Sequence, residues 1–128
     1  MMTQSTPETI SDTPAPARPR NGEFVAINSI ACTDAYRERF ETLFKSRAHA
    51  IDKLPGFHNM VVLKPSSGTG DYLVVSYWDD RASFENWHKS SAFAEGHRRG
   101  FDDVRQARER GEQPPMTSHM ELYDILCD

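Results

Sequence analysis

Four stretches with the composition of β-strands alternate with two helical regions, and this order restricts the folds that the chain can adopt. The predicted strands are residues 24–30, 57–64, 71–78 and 117–126, which are rich in β-branched and aromatic residues. Residues 65–70, rich in Ser and Gly, join the middle two strands as a hairpin. The order predicts a ferredoxin-like α+β fold (βαββαβ), in which a four-stranded antiparallel sheet carries the helices on one face.

The two helical regions follow different patterns. Residues 35–53 carry one apolar stripe at helical spacing and predict a single helix, which the Leu-Pro-Gly sequence at 54–56 ends. The later region predicts two helices, the first short and capped by Asp79, and the second capped by Ser90 or Ser91. The second ends near Gly100 or continues in charged form towards Arg110. The stripe of the first helix consists of Tyr36, Phe40, Leu43, Phe44, Ala48 and Ile51.

Apolar side chains occur on both faces of the predicted sheet. The helices cover one face, and the strand residues that alternate with the helix-facing ones leave apolar groups on the other. A second copy of the chain is the most economical cover for that face. We therefore expect a homodimer, in which the two sheets form a dimeric α+β barrel.

Composition supports one domain preceded by a tail. The 128 residues are 38% hydrophobic and include seven Phe, four Tyr and two Trp, which suits a single core. Residues 1–22 are rich in Pro, Thr, Ser and Ala and cannot bury a core, so we expect a flexible N-terminal tail. Residues 23–128 form the expected domain.

Charge and cysteine content exclude some partners and indicate a compartment. The formal net charge of -4 argues against nucleic acid as a partner, and no run of 18 apolar residues predicts a membrane span. Cys32 and Cys127 should lie at opposite ends of the paired first and last strands, too far apart for a disulfide. This arrangement fits a reducing, cytoplasmic setting.

Asn28 interrupts the apolar pattern of the first strand. An Asn in the middle of a strand is locally unfavourable. Its neighbours on the same face are apolar, so we expect this face to be the one that the helices cover. The side chain could bond a neighbour, or it could face a cavity between sheet and helices. These neighbours are Phe24, Ala26 and Ile30.

Trp87 and His97 lie ten residues apart in the helices that cover the same face. By default Trp87 is a core aromatic residue and His97 a hydrogen-bonded core histidine. Together with Asn28, however, they could enclose one cavity. His97 shares its helical stripe with Phe93, Ala94, Phe101 and Val104.

Three arginines are candidates for pairing with ligand carboxylates. Arg47 lies on or beside the stripe of the first helix, where it could pair with a ligand or with acidic surface residues. Arg98 and Arg99 form the only local basic cluster, which is better explained as a solvated helix face.

Over about residues 23–128 the chain resembles the antibiotic biosynthesis monooxygenase-like superfamily, and within it the haem-degrading monooxygenases of the IsdG type. The matching motifs are Ala-Ile-Asn-Ser-Ile at 26–30, Val-Val-Ser-Tyr-Trp at 74–78, and Phe-Glu-Asn-Trp at 84–87 followed ten residues later by His97. The Arg-Ala-His-Ala sequence that begins at Arg47 and runs into Leu-Pro-Gly-Phe looks most like the mycobacterial branch.

The resemblance implies a homodimer with one haem per subunit, in which haem is both cofactor and substrate. It implies that His97 is the axial ligand of the iron and that Asn28 is a hydrogen-bond donor on the opposite, oxygen-binding side. Trp87 would press on the macrocycle and distort it, and Arg47 would bind the propionates. Ring opening with O2 and an electron donor, a reductase or a small reductant, would then release the iron.

Three alternatives remain open at this point. A haem carrier or sensor would use the same axial histidine without turnover. A cofactor-free monooxygenase acting on a polyketide or quinol is the other known use of the fold. A structural dimeric module would leave the Asn, Trp and His without a role.

Overall fold

A computed structural model describes residues 21–128. The predicted flexible tail falls almost wholly on residues 1–20, outside the described residues, and stays a prediction. The elements in chain order are β1 (Phe24–Cys32), α1 (Arg37–Lys45), β2 (Phe57–Leu63), β3 (Tyr72–Trp78), α2 (Arg81–His88), α3 (Ser91–Glu109) and β4 (Met116–Asp124). Two short 3₁₀ turns, Asp34–Tyr36 and Ala50–Lys53, lie on either side of α1.

The four strands form one antiparallel sheet in the order β2-β3-β1-β4. The first strand, β1, is therefore central and pairs with the last strand, β4, at the edge of the sheet, as the ferredoxin-like fold requires. Asn28 lies opposite Val74 of β3 and Met120 of β4. The predicted fold class is confirmed.

The single helix predicted over residues 35–53 is wrong. Its α-helical part ends at Lys45, and residues 46–49 form a non-helical link before the second 3₁₀ turn. The Ser46 hydroxyl donates back to the Thr42 carbonyl at 2.7 Å, and His49 adopts a left-handed backbone with φ 62°. Alanines on either side of His49 favour a helix, but tertiary contacts override this preference.

The later helical region differs from its prediction in its first cap. Asp80, rather than Asp79, caps α2 by accepting the Ser83 backbone N–H at 2.8 Å. Ser90 caps α3, as predicted, and α3 continues for 19 residues to Glu109, the longer of the two predicted alternatives. None of the helices in residues 21–128 is long and apolar enough to cross a membrane.

The core beneath the helices is divided into two clusters. One surrounds the fully buried Trp78 and includes Ala26, whereas the other surrounds Tyr72 and includes Ile30. Asn28 lies between these two positions on the same face of β1. The sequence thus places a polar residue where the apolar core is interrupted.

The opposite face of the sheet carries no helix in the described part of the chain. Leu63 and Tyr123, on β2 and β4, are each 47% exposed there. Cys32 pairs with Met116 at one end of the sheet, while Cys127 follows β4 at the other end. Both cysteines are free, and they lie at opposite ends of the sheet as the sequence indicated.

Candidate functional site

Two adjoining cavities, of about 140 and 620 Å³, open between α3 and the sheet. Both are lined by Asn28, Trp87 and His97, the three residues that the sequence indicated could enclose one cavity. The larger volume lies in the range of small-molecule sites, about 300–1,000 Å³. The remaining residues shared by the two linings are Ile30, Met60, Val74, Phe101 and Met116.

His97 is held by its own helix. Its Nδ1 lies 2.7 Å from the backbone carbonyl oxygen of Phe93, four residues earlier, and a carbonyl can only accept. The hydrogen bond therefore puts the proton on Nδ1 and leaves the lone pair of Nε2 available to a ligand. The ring is also stacked between Phe93, with ring centroids 4.0 Å apart, and Phe101, with centroids 5.4 Å apart.

The surroundings of His97 favour the neutral imidazole. Burial lowers its pKa below the ordinary 6.5, outweighing the opposing effect of the hydrogen bond to Phe93. The nearby His88 lowers the pKa further. A neutral imidazole with one free nitrogen is the form that binds metals.

Asn28 and Trp87 each bring an unsatisfied polar atom to the cavities. In residues 21–128, the buried side-chain atoms without a hydrogen-bond partner are Asn28 Oδ1, Trp87 Nε1 and Arg37 Nη2. Two of these three belong to cavity-lining residues, and Trp87 is only 9% exposed. Leaving such atoms unpaired costs about 1–3 kcal/mol each, so each needs a polar partner such as an ordered water or a bound ligand.

Arg47 lies in the 46–49 link and lines the smaller cavity. Its guanidinium Nη1 is 3.7 Å from Asp52 Oδ1, a long contact, and its side chain is 24% exposed. Asp52 also contacts His49 Nδ1 at 3.2 Å, so the carboxylate is shared between the two side chains. The ion pair of Arg47 is therefore weak, and an acidic ligand could compete for its guanidinium.

Arg98 and Arg99 are both exposed, as predicted, but Arg99 also makes specific hydrogen bonds. Its guanidinium donates to the Leu43 carbonyl at 3.0 Å and to the Ser46 hydroxyl at 3.1 Å. Sequence reasoning missed this contact because it depends on where α1 ends.

Two glycines of α3 were also missed. Gly96 and Gly100 line the smaller cavity, and a Cβ at Gly96 would meet no atom within 4 Å. Their four-residue spacing places them on one helix face, where Gly96 leaves open space and Gly100 allows close approach of Met116, whose Cε would lie 3.0 Å from a Cβ at that position. That spacing was the signal available in the sequence.

Comparison with known proteins places the site in a family. Residues 23–99 match the family model described as antibiotic biosynthesis monooxygenase. A "Heme oxygenase (mycobilin-producing)" of Mycobacterium tuberculosis is 36% identical over 76 residues, which are 58% of this chain and 72% of the relative. A "Heme oxygenase (staphylobilin-producing)" of Staphylococcus haemolyticus is 33% identical over 76 residues, with the same coverage.

Solved structures show the same fold. The heme degrader MhuD of Mycobacterium tuberculosis, with two hemes bound in its active site, superposes with a TM-score of 0.60 and 26% identity, covering 82% of this chain and 97% of that one. A mutant of the cofactor-independent oxygenase SnoaB of Streptomyces nogalater gives a TM-score of 0.55 and 22% identity, covering 83% and 95%. The second likeness shows the fold alone.

These matches confirm the resemblance that the motifs indicated, including the likeness to the mycobacterial proteins. The matched segment begins just before β1 and ends in α3 at Arg99, so it includes Asn28, Trp87 and His97. It spans more than half of the sequence. The chain belongs to the antibiotic biosynthesis monooxygenase family.

Proposed function

We propose that the protein is a haem-degrading monooxygenase that binds haem through His97, distorts the macrocycle and opens it with O2 and a reductant, releasing iron. The observation that carries the proposal is the tethered imidazole of His97, with its free Nε2, beside the unsatisfied atoms of Asn28 and Trp87. The relatives named as heme oxygenases, and the heme-bound structure of MhuD, support haem as the ligand.

The donor set suits haem better than a bare metal ion. No group of three or more His, Cys, Asp or Glu that could hold a metal ion occurs in residues 21–128. A porphyrin supplies four nitrogens to its iron, so a single imidazole completes the protein's share of the ligands. The apolar lining contributed by residues such as Val74 and Met116 suits the faces of a macrocycle.

Each residue has a separate task in the proposed reaction. His97 binds the iron through Nε2 and is kept in orientation by the Phe93 carbonyl and by ring stacking. Asn28 faces the bound ligand with an amide that a half-turn about χ2 converts from acceptor to donor. Trp87, packed against Trp78 at a centroid distance of 5.4 Å, forms a rigid wall that bends a flat macrocycle.

Haem itself supplies the O2-activating iron and the carbon that is oxidised. The protein contributes binding, orientation and exclusion of water. Arg47, with only a long contact to Asp52, is the proposed partner of the carboxylates. The unsatisfied Nε1–H of Trp87 would donate to a polar group of the ligand or to an ordered water.

Titration with hemin tests the binding step. Wild-type protein should develop a Soret band at about one haem per chain, and His97→Ala should lose the band of the histidine-ligated form. His88→Ala is the matched control, because His88 also lines the larger cavity but lies exposed on α2. Unchanged ligation in His97→Ala would refute the assignment.

Addition of ascorbate or a reductase in air tests the chemical step. The Soret band should decay, iron should become available to a ferrous chelator, and mass spectrometry should identify the bilin. Asn28→Ala and Trp87→Phe should still bind haem but degrade it more slowly. A spectrum that persists under these conditions would instead indicate a haem carrier or sensor.

We also propose that the protein is a homodimer joined through the helix-free face of the sheet. The exposed Leu63 and Tyr123 and the half-buried Ile27 form an apolar surface there. Light scattering of the wild type should give twice the mass of one chain, and light scattering of Ile27→Lys should give the mass of a single chain. A wild-type monomer at all concentrations would refute the dimer.

A cytoplasmic location and a separate electron donor complete the proposal. The two free cysteines, Cys32 and Cys127, suit a reducing compartment. Cell fractionation tests the location, and recovery of the protein outside the cytoplasm would refute it.

A further inference from the structure

A polar contact joins α3 to the end of α1 beside the smaller cavity. Arg99, two residues after His97, donates to the Leu43 carbonyl at 3.0 Å, the Ser46 hydroxyl at 3.1 Å and the Ser46 carbonyl at 3.4 Å. Carbonyls at the C-terminal end of a helix lack intrahelical partners and carry partial negative charge. Arg99 Nη2 donates to both carbonyls while Nη1 donates to the Ser46 hydroxyl, an arrangement that a lysine ammonium could not reproduce with the same geometry.

The same contact fixes the link that carries Arg47. Ser46 directly precedes Arg47, and backbone hydrogen bonds tie the link to α1, among them Ser46 N to Thr42 O at 3.1 Å and Arg47 N to Phe44 O at 3.3 Å. Arg99 therefore supplies the side-chain contact that holds the link against α3. Arg47 and Arg99 line the same cavity.

We propose that Arg99 is a positioning residue, which couples the helix of His97 to the link of Arg47 and so fixes the distance between the two ligand-binding groups. The inference rests on the proposed function. A ligand whose metal is held by His97 would then present its carboxylates where Arg47 can reach them. Arg99 itself acts through Arg47, because its donors are engaged by α1.

The neighbouring Arg98 provides a matched control. It carries the same charge on the same helix, is exposed, and makes no hydrogen bond or ion pair in the described part of the chain. Arg98→Gln therefore reproduces the change in net charge without breaking the contact. Arg99→Lys keeps the charge but cannot bridge Leu43 and Ser46 in the same way.

A double-mutant cycle with two ligands tests the coupling. The ligands are hemin and hemin dimethyl ester, which lacks the carboxylates, and dissociation constants come from Soret titrations. Arg47→Gln and Arg99→Gln should each weaken hemin binding roughly tenfold, the loss of one charge-assisted hydrogen bond, and should leave ester binding nearly unchanged. Introducing Arg47→Gln into the Arg99→Gln variant should raise the dissociation constant for hemin by less than about a further threefold.

Two results would overturn the coupling. One is that Arg47→Gln and Arg99→Gln act independently, so that the dissociation constant for hemin in the double variant rises by the product of the two single effects. The other is equal weakening of hemin and its ester by Arg99→Gln, which indicates general loosening. If Arg99→Gln does not fold, Arg99→Lys replaces it, with the same predicted pattern.

Amide hydrogen exchange tests the contact without haem. Exchange of the Ser46 and Arg47 amides should accelerate at least about fivefold in Arg99→Gln and stay unchanged in Arg98→Gln. Unchanged exchange in Arg99→Gln would overturn the inference. Absence of hemin binding by every variant would instead refute the proposed function, while the exchange result would still decide whether Arg99 holds the link.

Discussion

Replacing Asn28 by Leu should make the ligand-free protein more stable and less active. Asn28 Oδ1 is buried without a partner in the described residues, and the side chain lies where the two core clusters meet. An unsatisfied buried acceptor costs about 1–3 kcal/mol, and a side chain of similar size without polar atoms removes that cost. Leu also adds apolar contact beside Ile30 and Val74.

We expect the free energy of unfolding to rise by about 1–2 kcal/mol, because some of the gain is lost where the branched Leu fits the strand imperfectly. For a domain of this size each kcal/mol raises Tm by roughly 4–8 °C. Urea unfolding, followed by tryptophan fluorescence, should show a higher midpoint with an unchanged slope. Haem degradation by Asn28→Leu should be slower.

Asn28→Asp provides the contrast. It keeps the shape of the side chain but adds a charge without a partner, and an uncompensated buried charge destabilises by about 3–5 kcal/mol. A Leu variant less stable than the wild type by about 1 kcal/mol or more, on the scale of a typical unfavourable substitution, would refute our reasoning about the amide.

Two further predictions concern the backbone and a helix cap. Gly22→Ala should destabilise the protein by at least about 2 kcal/mol, since φ is +76° and the new Cβ would clash with the Trp78 carbonyl oxygen. Gly68→Ala, at φ +82° in open space, should cost only the backbone strain, about 1 kcal/mol. Equal urea midpoints for the two variants would contradict this difference. The Ser83 backbone N–H, followed by its hydroxyl, lowers the pKa of Asp80, so this carboxylate contributes stability above its unfolded pKa that is lost as pH falls through the folded pKa. Thermal scans from about pH 7 to about pH 2 should therefore show a smaller loss of Tm in Asp80→Asn than in the wild type.

The sequence was sufficient for the fold because strand patterns and their order leave few arrangements. Gly, Pro and turn residues bounded each strand, and the observed ends differ from the predicted ones by a few residues. The error fell on residues 46–53, where local preference and tertiary contacts disagree. The apolar spacing of Ala48 and Ile51 continues a helix, but Ile51 reaches the core from a 3₁₀ turn instead.

The site was predictable to the extent that its residues conflict with the pattern around them. Asn28 and His97 are polar residues on apolar faces, and the structure brings both to the same cavities. Arg99 offered no such conflict, since an exposed arginine on a helix is common. Its contact follows from the position of the end of α1, which the local sequence did not determine.

The same conflict explains why the cavities persist. A chain selected only for stability would fill the gap between the two clusters with apolar side chains and pair or remove the unsatisfied atoms of Asn28 and Trp87. This chain instead keeps Gly96 beside His97, which leaves open a space that a larger side chain could fill. Because each choice lowers the stability of the empty protein, together they support the proposal that a ligand completes the stabilising contacts of this region.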